Sequence, residues 1–424
     1  MNSKEPVGQV VAIRGNIIYT PTQEAFFTLR DGYLVMRDGH VQAVVQNEEA
    51  LPADCSIIDR SGSLIMPGFV DLHVHAPQFN MIGMGMDLPL LGWLNSYTFV
   101  EEPKFRDLDY AESVYRSFVD ELASSGTTRS SVFGTIHLNA TQLLCRLFEE
   151  KGLGVYVGKV NMDTGAVEAL TEDTAASLRE TEEFLQAWKD NERVKPIVTP
   201  RFALSTTREM LEGLKALIEK YQASVQSHLS ENKDEIRIVG ELFPERSSYM
   251  NVYEYYGMYG QTPTLMAHCV HLTEDEIRHT AQRNVWAVHC PDSNLNLTSG
   301  LMPARKMLNA GVKIGLGSDV GAGHTLFMPH AVVRAIEVSK ARCMQNPEET
   351  ALKLSEAFYM ATKGGGAFFG KVGSFEKDYA ADILVVDSPK RQQSRTVEEQ
   401  LAYFIYHGSA QDIQEVYVNG RNVK

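Results

Sequence analysis

Five metal-type side chains fall in one order along the chain, and that order constrains the fold more than any other feature: His73 and His75 flanking Val74, then His228, His268 and Asp319. Each closes a short apolar run of strand character. Residues i and i+2 of a strand share a face, with Cα atoms about 6.6 Å apart. The imidazoles of His73 and His75 can therefore lean onto one ion at Zn–N distances of about 2.0–2.1 Å. A pair alone would be explained as well by two strand histidines with satisfied hydrogen bonds. A pair followed by two more histidines and an aspartate, all at strand ends, reads as a mononuclear metal site inside a parallel barrel.

The rhythm between these residues agrees. Candidate strands at 65–75, 127–132, 154–160, 195–201, 224–228, 264–268, 285–289 and 312–319 are mostly separated by helical stretches, among them 109–125, 174–189, 207–221 and 329–341. Eight strands with crossover helices predict an α/β chain with a (β/α)8 TIM-like barrel, whose chemistry gathers at the C-terminal strand ends. The metal-type residues fall there. The two ends of the chain have a different texture. Short strands at 10–13, 16–19 and 33–36, separated by Gly and Asp-Gly turns, match those at 381–386 and 416–418, which precede an Asn419-Gly420 turn. They predict a small β-sandwich domain built from 1–66 and 368–424, around a barrel domain of 67–367.

Composition excludes several classes. The 424 residues carry a net charge of −14 with both signs mixed, without the basic stripe that a phosphate backbone selects. No nucleic-acid partner is expected. The start lacks the charged and apolar regions of a secretory signal, and no run reaches the roughly 18–20 apolar residues of a membrane span. The five cysteines, at 55, 145, 269, 290 and 343, form no C-x-x-C pair and suit reduced thiols in a cytoplasmic protein. Cys269 and Cys290 directly follow His268 and His289, but they would point to the opposite strand face and are read as core packing.

The residues around the ion can be assigned work. His228 ends the fifth strand and is read as a ligand. Asp319 could cap a helix after the last strand; the favoured reading has it complete His₃Asp around one ion and accept a proton from the ion's water. His268 is either a direct ligand or a donor to that water, with the second preferred. The fourth strand ends in Arg201 rather than in the bridging lysine of two-metal barrels, and Lys159 has no obvious route to the ion, which argues for one metal. Zinc lowers the pKa of bound water from about 15.7 to about 7, and an acid must still protonate the leaving group. Glu231, three residues after His228, is the candidate, against a plain first-turn acid complementing a helix dipole.

These residues resemble the amidohydrolase superfamily, and more closely its mononuclear aminohydrolase branch. Pro67-Gly68-Phe69-Val70-Asp71-Leu72-His73-Val74-His75 is similar to its opening motif. His289-Cys290-Pro291-Asp292-Ser293-Asn294 and Gly315-Leu316-Gly317-Ser318-Asp319 resemble its seventh and eighth strand signatures. The runs His75-Ala76-Pro77-Gln78, Asp87-Leu88-Pro89-Leu90-Leu91-Gly92-Trp93-Leu94 and Pro200-Arg201-Phe202 narrow the resemblance to members that deaminate guanine. The resemblance spans nearly the whole chain. It implies His73, His75, His228 and Asp319 as ligands of one Zn²⁺ per subunit, although His₃Asp also accepts Fe²⁺. It further implies Glu231 as proton shuttle, His268 beside the metal's water, a purine base and water as substrates, a place in purine catabolism, and a cytoplasmic homodimer.

Gln78, Arg201 and Phe202 fall at its substrate positions, with His75, His228 and Glu231 also in reach of the substrate. Residue chemistry points the same way. The arginine fork donates only, and guanine presents two adjacent acceptors, N7 and O6, where adenine replaces one by a donor. Gln78 can donate and accept. Phe202 and Trp93 could lie on the base face, though an aromatic such as Trp93 in an apolar loop is more often core or subunit contact, and Arg201 could be a rim ion pair. Residues 81–102 are the candidate lid. The rival expectations are a related aminohydrolase acting on 8-oxoguanine, cytosine, a triazine or an adenosine derivative, and a catalytically silent barrel serving as a scaffold.

Overall fold

The computed structural model describes residues 8–424. Its centre is a (β/α)8 barrel made of two four-stranded parallel sheets. The first contains Phe69–His75, Thr127–Phe133, Gly154–Gly158 and Val194–Pro196; the second contains Val225–Leu229, Thr264–His268, Val285–His289 and Lys313–Leu316. Backbone hydrogen bonds close the ring at both seams. Gln226 N donates to Val198 O at 3.0 Å between the fourth and fifth strands, and Asp319 N to His73 O at 2.8 Å between the eighth and first. The strands are buried along almost their whole length, as parallel strands covered on both faces must be.

Helices wrap the barrel where amphipathic periodicity places them: Leu108–Ser124, Thr174–Trp188, Arg208–Tyr221 and Met328–Gln345. Side-chain caps fix several starts. Asp107 accepts from the amides of Asp109 and Tyr110, and Thr207 from Met210. The fourth strand departs from expectation. The run 195–201 breaks into Val194–Pro196 and Thr199–Pro200, because the prolines have no N–H for a ladder. The short second piece pairs with Val160–Asn161.

Both chain ends meet in one seven-stranded sheet, in the order Arg421–Asn422, Ile413–Val418, Ile383–Val386, Ser56–Pro67, Val10–Thr22, Ala25–Arg37, His40–Val45. Its strands alternate strictly. Ile17, Tyr19, Ile65, Ile383 and Val385 face one cluster, while Ile18, Leu64, Met66, Leu384 and Val386 join the barrel's core on the other. The expected strands 10–13 and 16–19 are a single strand, since Gly15 sits at a register shift instead of a turn. The Asp38-Gly39 and Asn419-Gly420 corners are real turns, all four residues at positive φ of 48–76° as a primed hairpin turn requires. The run expected as strand 65–75 divides at Gly68, where the chain passes from the terminal sheet into the barrel. A Cβ there would come within 2.2 Å of Thr128 Cγ2, so only glycine lets the two strands approach.

Candidate active site

The C-terminal strand ends converge on one buried pocket of about 370 Å³, counting its mouth, near the lower end of small-molecule sites. His75, Gln78, Arg201, Phe202, His228, Glu231, His268 and Asp319 line it, with Leu90, Trp93 and Leu94 of the 81–102 segment closing one side. His73 lies just beneath: its Nε2 is 3.2 Å from Asp319 Oδ1. The structure thus brings together every site residue expected from the sequence.

Backbone conformation aims several of these groups. Ser230, His268 and Asp319 adopt φ of +49°, +71° and +48° at or just past the ends of the fifth, sixth and eighth strands. Left-handed backbone in non-glycine residues costs about 1–3 kcal/mol each and persists where the surrounding structure enforces it. Asp71, one turn of pleat below His73, supports the first and eighth strands together. Its Oδ1 accepts from the amides of His73 at 3.2 Å and Ser318 at 3.0 Å.

Three short contacts join four ligand-type side chains, and His73, His228 and His268 also stand within metal-binding reach of one another. His75 Nε2 lies 3.2 Å from His228 Nε2, and Asp319 Oδ1 lies 3.2 Å from His73 Nε2 and 3.5 Å from His75 Nε2. Two atoms about 2.1 Å from a shared ion at a tetrahedral angle stand about 3.4 Å apart, so the spacing fits. His73 Nε2 is buried without a hydrogen-bond partner. His228 Nδ1 is 2.6 Å from the Arg201 carbonyl, to which it must donate, leaving a lone pair on Nε2. Burial pushes His73, His75 and His228 below the ordinary imidazole range, which keeps them neutral and able to ligate. Burial would raise Asp319, but His73 and the neighbouring imidazoles outweigh it and hold the carboxyl at about 2. The donor set, its protonation and its spacing all fit a divalent ion.

His268 and Glu231 form the second part. His268 Nδ1 meets Asn294 Oδ1 at 2.9 Å, which turns Nε2 toward Glu231 Oε2 at 3.4 Å and Asp319 Oδ2 at 3.8 Å. Burial lowers the His268 pKa, but the two carboxylates outweigh it and the net shift is upward. Burial raises Glu231 against the pull of His268. Ser299 Oγ donates to Glu231 Oε1 at 2.8 Å, leaving Oε2 turned to the His268 side.

The third part is polar and lies across the pocket. Arg201, only 3% exposed, gives Nη1 to Glu102 Oε2 at 2.6 Å. Gln78 Nε2 donates to Glu102 Oε1 at 2.9 Å, and Gln78 Oε1 accepts from Gly321 N at 3.2 Å. Trp93 is buried with Nε1 on the Met84 carbonyl at 2.9 Å. Glu102, Asp71, Asn294 and Ser299 escaped sequence reasoning. Only Asp71 and Asn294 lay inside a quoted motif, and an isolated Glu or Ser in a loop carries no periodic or spacing signal.

Other candidates fall away on chemistry. Lys159 is fully buried and paired with Glu172 at 2.5 Å, away from the ion group. Cys290 Sγ lies near His73 and Asp319, yet burial pushes its thiol well up, so it packs as a neutral side chain. A further cluster, Asp292, His324 and His330, has metal-like spacing. There the Asn296 amide donates to His324 Nδ1, which puts the ring proton on Nε2, and Arg334 already holds Asp292 Oδ1 at 2.9 Å.

Comparison with known proteins places the chain among relatives. Residues 64–423 match the model of the Amidohydrolase family. A guanine deaminase of Dictyostelium discoideum is 40% identical over 380 residues, covering 87% of this chain and 84% of that protein. The guanine deaminase of Escherichia coli (strain K12) is 34% identical, covering 93% and 91%. A crystal structure of guanine deaminase from C. acetobutylicum, with guanine bound in its active site, superposes with a TM-score of 0.96 at 45% identity, covering 98% of this chain and 100% of that one. The chain belongs to the amidohydrolase family and, within it, stands with the guanine deaminases.

Proposed function

We propose that this protein hydrolyses guanine to xanthine and ammonia. The observation that carries the reading is an arginine with a half-open fork in the same buried pocket as the His/Asp group and Glu231. Arg201 spends Nη1 on Glu102 and has further donors for a ligand. Guanine meets such a fork with N7 and O6, whereas adenine would oppose a donor to a donor. Gln78 presents both an amide proton and a carbonyl lone pair, and Phe202 and Trp93 supply apolar walls for the ring. The relatives named above, and the guanine held by the C. acetobutylicum enzyme, support the same substrate.

When bound, a divalent ion, which we assign as one zinc per chain on His73, His75, His228 and Asp319, lowers the pKa of water so that a nucleophile is available near neutrality. The protein's own groups move the protons. Asp319, held ionised, takes the proton of the water that adds to C2 of the base. Glu231, with Oε1 fixed by Ser299, delivers a proton through Oε2 to the adjacent ring nitrogen. His268, fixed by Asn294, holds a donor beside the incoming oxygen. The new hydroxyl at C2 then gives its proton to Glu231, which passes it to the amine; the C–N bond breaks, ammonia leaves, and the proton on Asp319 returns to Glu231 for the next turnover.

We assign this chemistry to a unit of 67–367, with 1–66 and 368–424 as the terminal unit, and we carry forward a cytoplasmic homodimer from the family resemblance, to be checked by light scattering and fractionation. No helix among the described residues is long and apolar enough to cross a membrane. The test of the function is ammonia release by zinc-loaded protein on guanine, 8-oxoguanine, adenine, cytosine and guanosine, with ring products followed by absorbance. Guanine well ahead of the others is expected. Preference for another ring, or silence on all with metal bound, overturns the reading.

A further inference from the structure

Glu102 is a buried carboxylate whose two oxygens are both committed, one to each polar group of the pocket, although it does not itself line the cavity. It is 3% exposed and opens the short turn Glu102–Arg106, directly after the segment that brings Leu90, Trp93 and Leu94 to the pocket. We propose that Glu102 is a positioning residue for base recognition, setting the donor and acceptor pattern that Arg201 and Gln78 show to the substrate; this rests on the guanine reading above.

Three constraints meet at this side chain. The first is the aim of the fork. Arg201 enters from the end of the fourth strand, and its Nη1 bond to Glu102 Oε2 at 2.6 Å fixes the rotation of the guanidinium plane. The Phe99 ring lies 5.8 Å from that guanidinium and walls it in. The second is the sense of the amide. A glutamine can present its two ends either way round, but a carboxylate accepts only, so Glu102 Oε1 takes Gln78 Nε2, and Gly321 N takes Gln78 Oε1. One amide proton and one carbonyl lone pair then remain for the base, each on a defined side. The third is charge. A buried guanidinium without a partner is costly and would draw anions in preference to a neutral purine. The carboxylate neutralises it while leaving the fork half open.

Glu102→Gln keeps the shape of the side chain but replaces one acceptor by a donor, which must then face Arg201 or Gln78. In zinc-loaded protein the expected result is a KM for guanine raised about 10–100-fold, the range for losing a charged hydrogen bond, with a smaller fall in kcat. Bound zinc per chain should stay near wild type, while Tm falls because the buried guanidinium loses its counter-charge. A structural role alone would not produce the next result. In a background lacking both partners, Arg201→Ala with Gln78→Ala, adding Glu102→Gln should change KM by less than about threefold, because the groups it acts through are gone. Glu102→Asp, which retains the charge, should recover part of the loss. A Glu102→Gln variant with KM within about twofold of wild type, or a full multiplicative effect on top of the combined Arg201→Ala and Gln78→Ala changes, overturns the proposal while leaving guanine turnover standing. Wild-type protein that releases no ammonia from guanine overturns both readings together.

Discussion

Two buried arginine–carboxylate pairs sit at opposite ends of the barrel and are built to different ends. Arg129, near the start of the second strand, gives Nε and Nη2 to Asp382 at 2.6 and 3.0 Å, and Nη2 also to Asn419 at 2.7 Å. Its fork is closed, and it ties the barrel to the terminal sheet, where Asp382 O also accepts from Gly68 N. Arg201, past the end of the fourth strand, gives one nitrogen to Glu102 and faces a pocket. The same ion pair is a rivet where the carboxylate fills the fork and a recognition device where it fills half of it. Bidentate geometry at the first site and monodentate geometry at the second carry that distinction.

The difference can be broken from either end. Removing the metal with a chelator should abolish turnover and lower Tm, since an ion that binds only the folded chain stabilises it; activity that survives complete metal removal would reject the ion group as the seat of chemistry. At the other end, Asp382→Ala should destabilise by about 3–5 kcal/mol by stranding Arg129, read as a lower denaturation midpoint, with the KM for guanine in the surviving folded protein near wild type. Arg201→Lys should do the reverse. It keeps the charge but loses the planar fork, so KM should rise about 10–100-fold with little change in midpoint. The smallest effect is expected from Asn419→Gly, which tolerates the positive φ and removes only the bond to Arg129, about 1 kcal/mol of stability and no change in kinetics. Equal kinetic damage from the Asp382 and Arg201 variants would erase the contrast.

Much of this was legible in the sequence because strand periodicity and turn chemistry are local. The order His73-x-His75, His228, His268, Asp319 put on strand ends what the barrel gathers in space, and the Asn419-Gly420 corner was legible as a dipeptide turn signal, whereas the Asp-Gly pair expected to turn the chain before 33–36, Asp31-Gly32, lies inside the strand Ala25–Arg37. Gly15 misled because a glycine marks a bulge as readily as a turn, and only pairing decides which. The broken fourth strand was implicit in Pro196 and Pro200, whose missing donors weigh more than the apolar run around them. The carboxylate behind Arg201 was out of reach. Glu102 lies 99 residues from its partner and gains its meaning from burial, which charge and composition do not reveal.

The most direct test of the central claim compares wild type with Glu231→Gln, measuring metal per chain by elemental analysis and ammonia release from guanine in the same preparations. One metal per chain is expected in both, with turnover reduced about 10²–10⁴-fold in the variant, the range for a lost general acid–base group. A Glu231→Gln protein that holds its metal and deaminates guanine at the wild-type rate would contradict it.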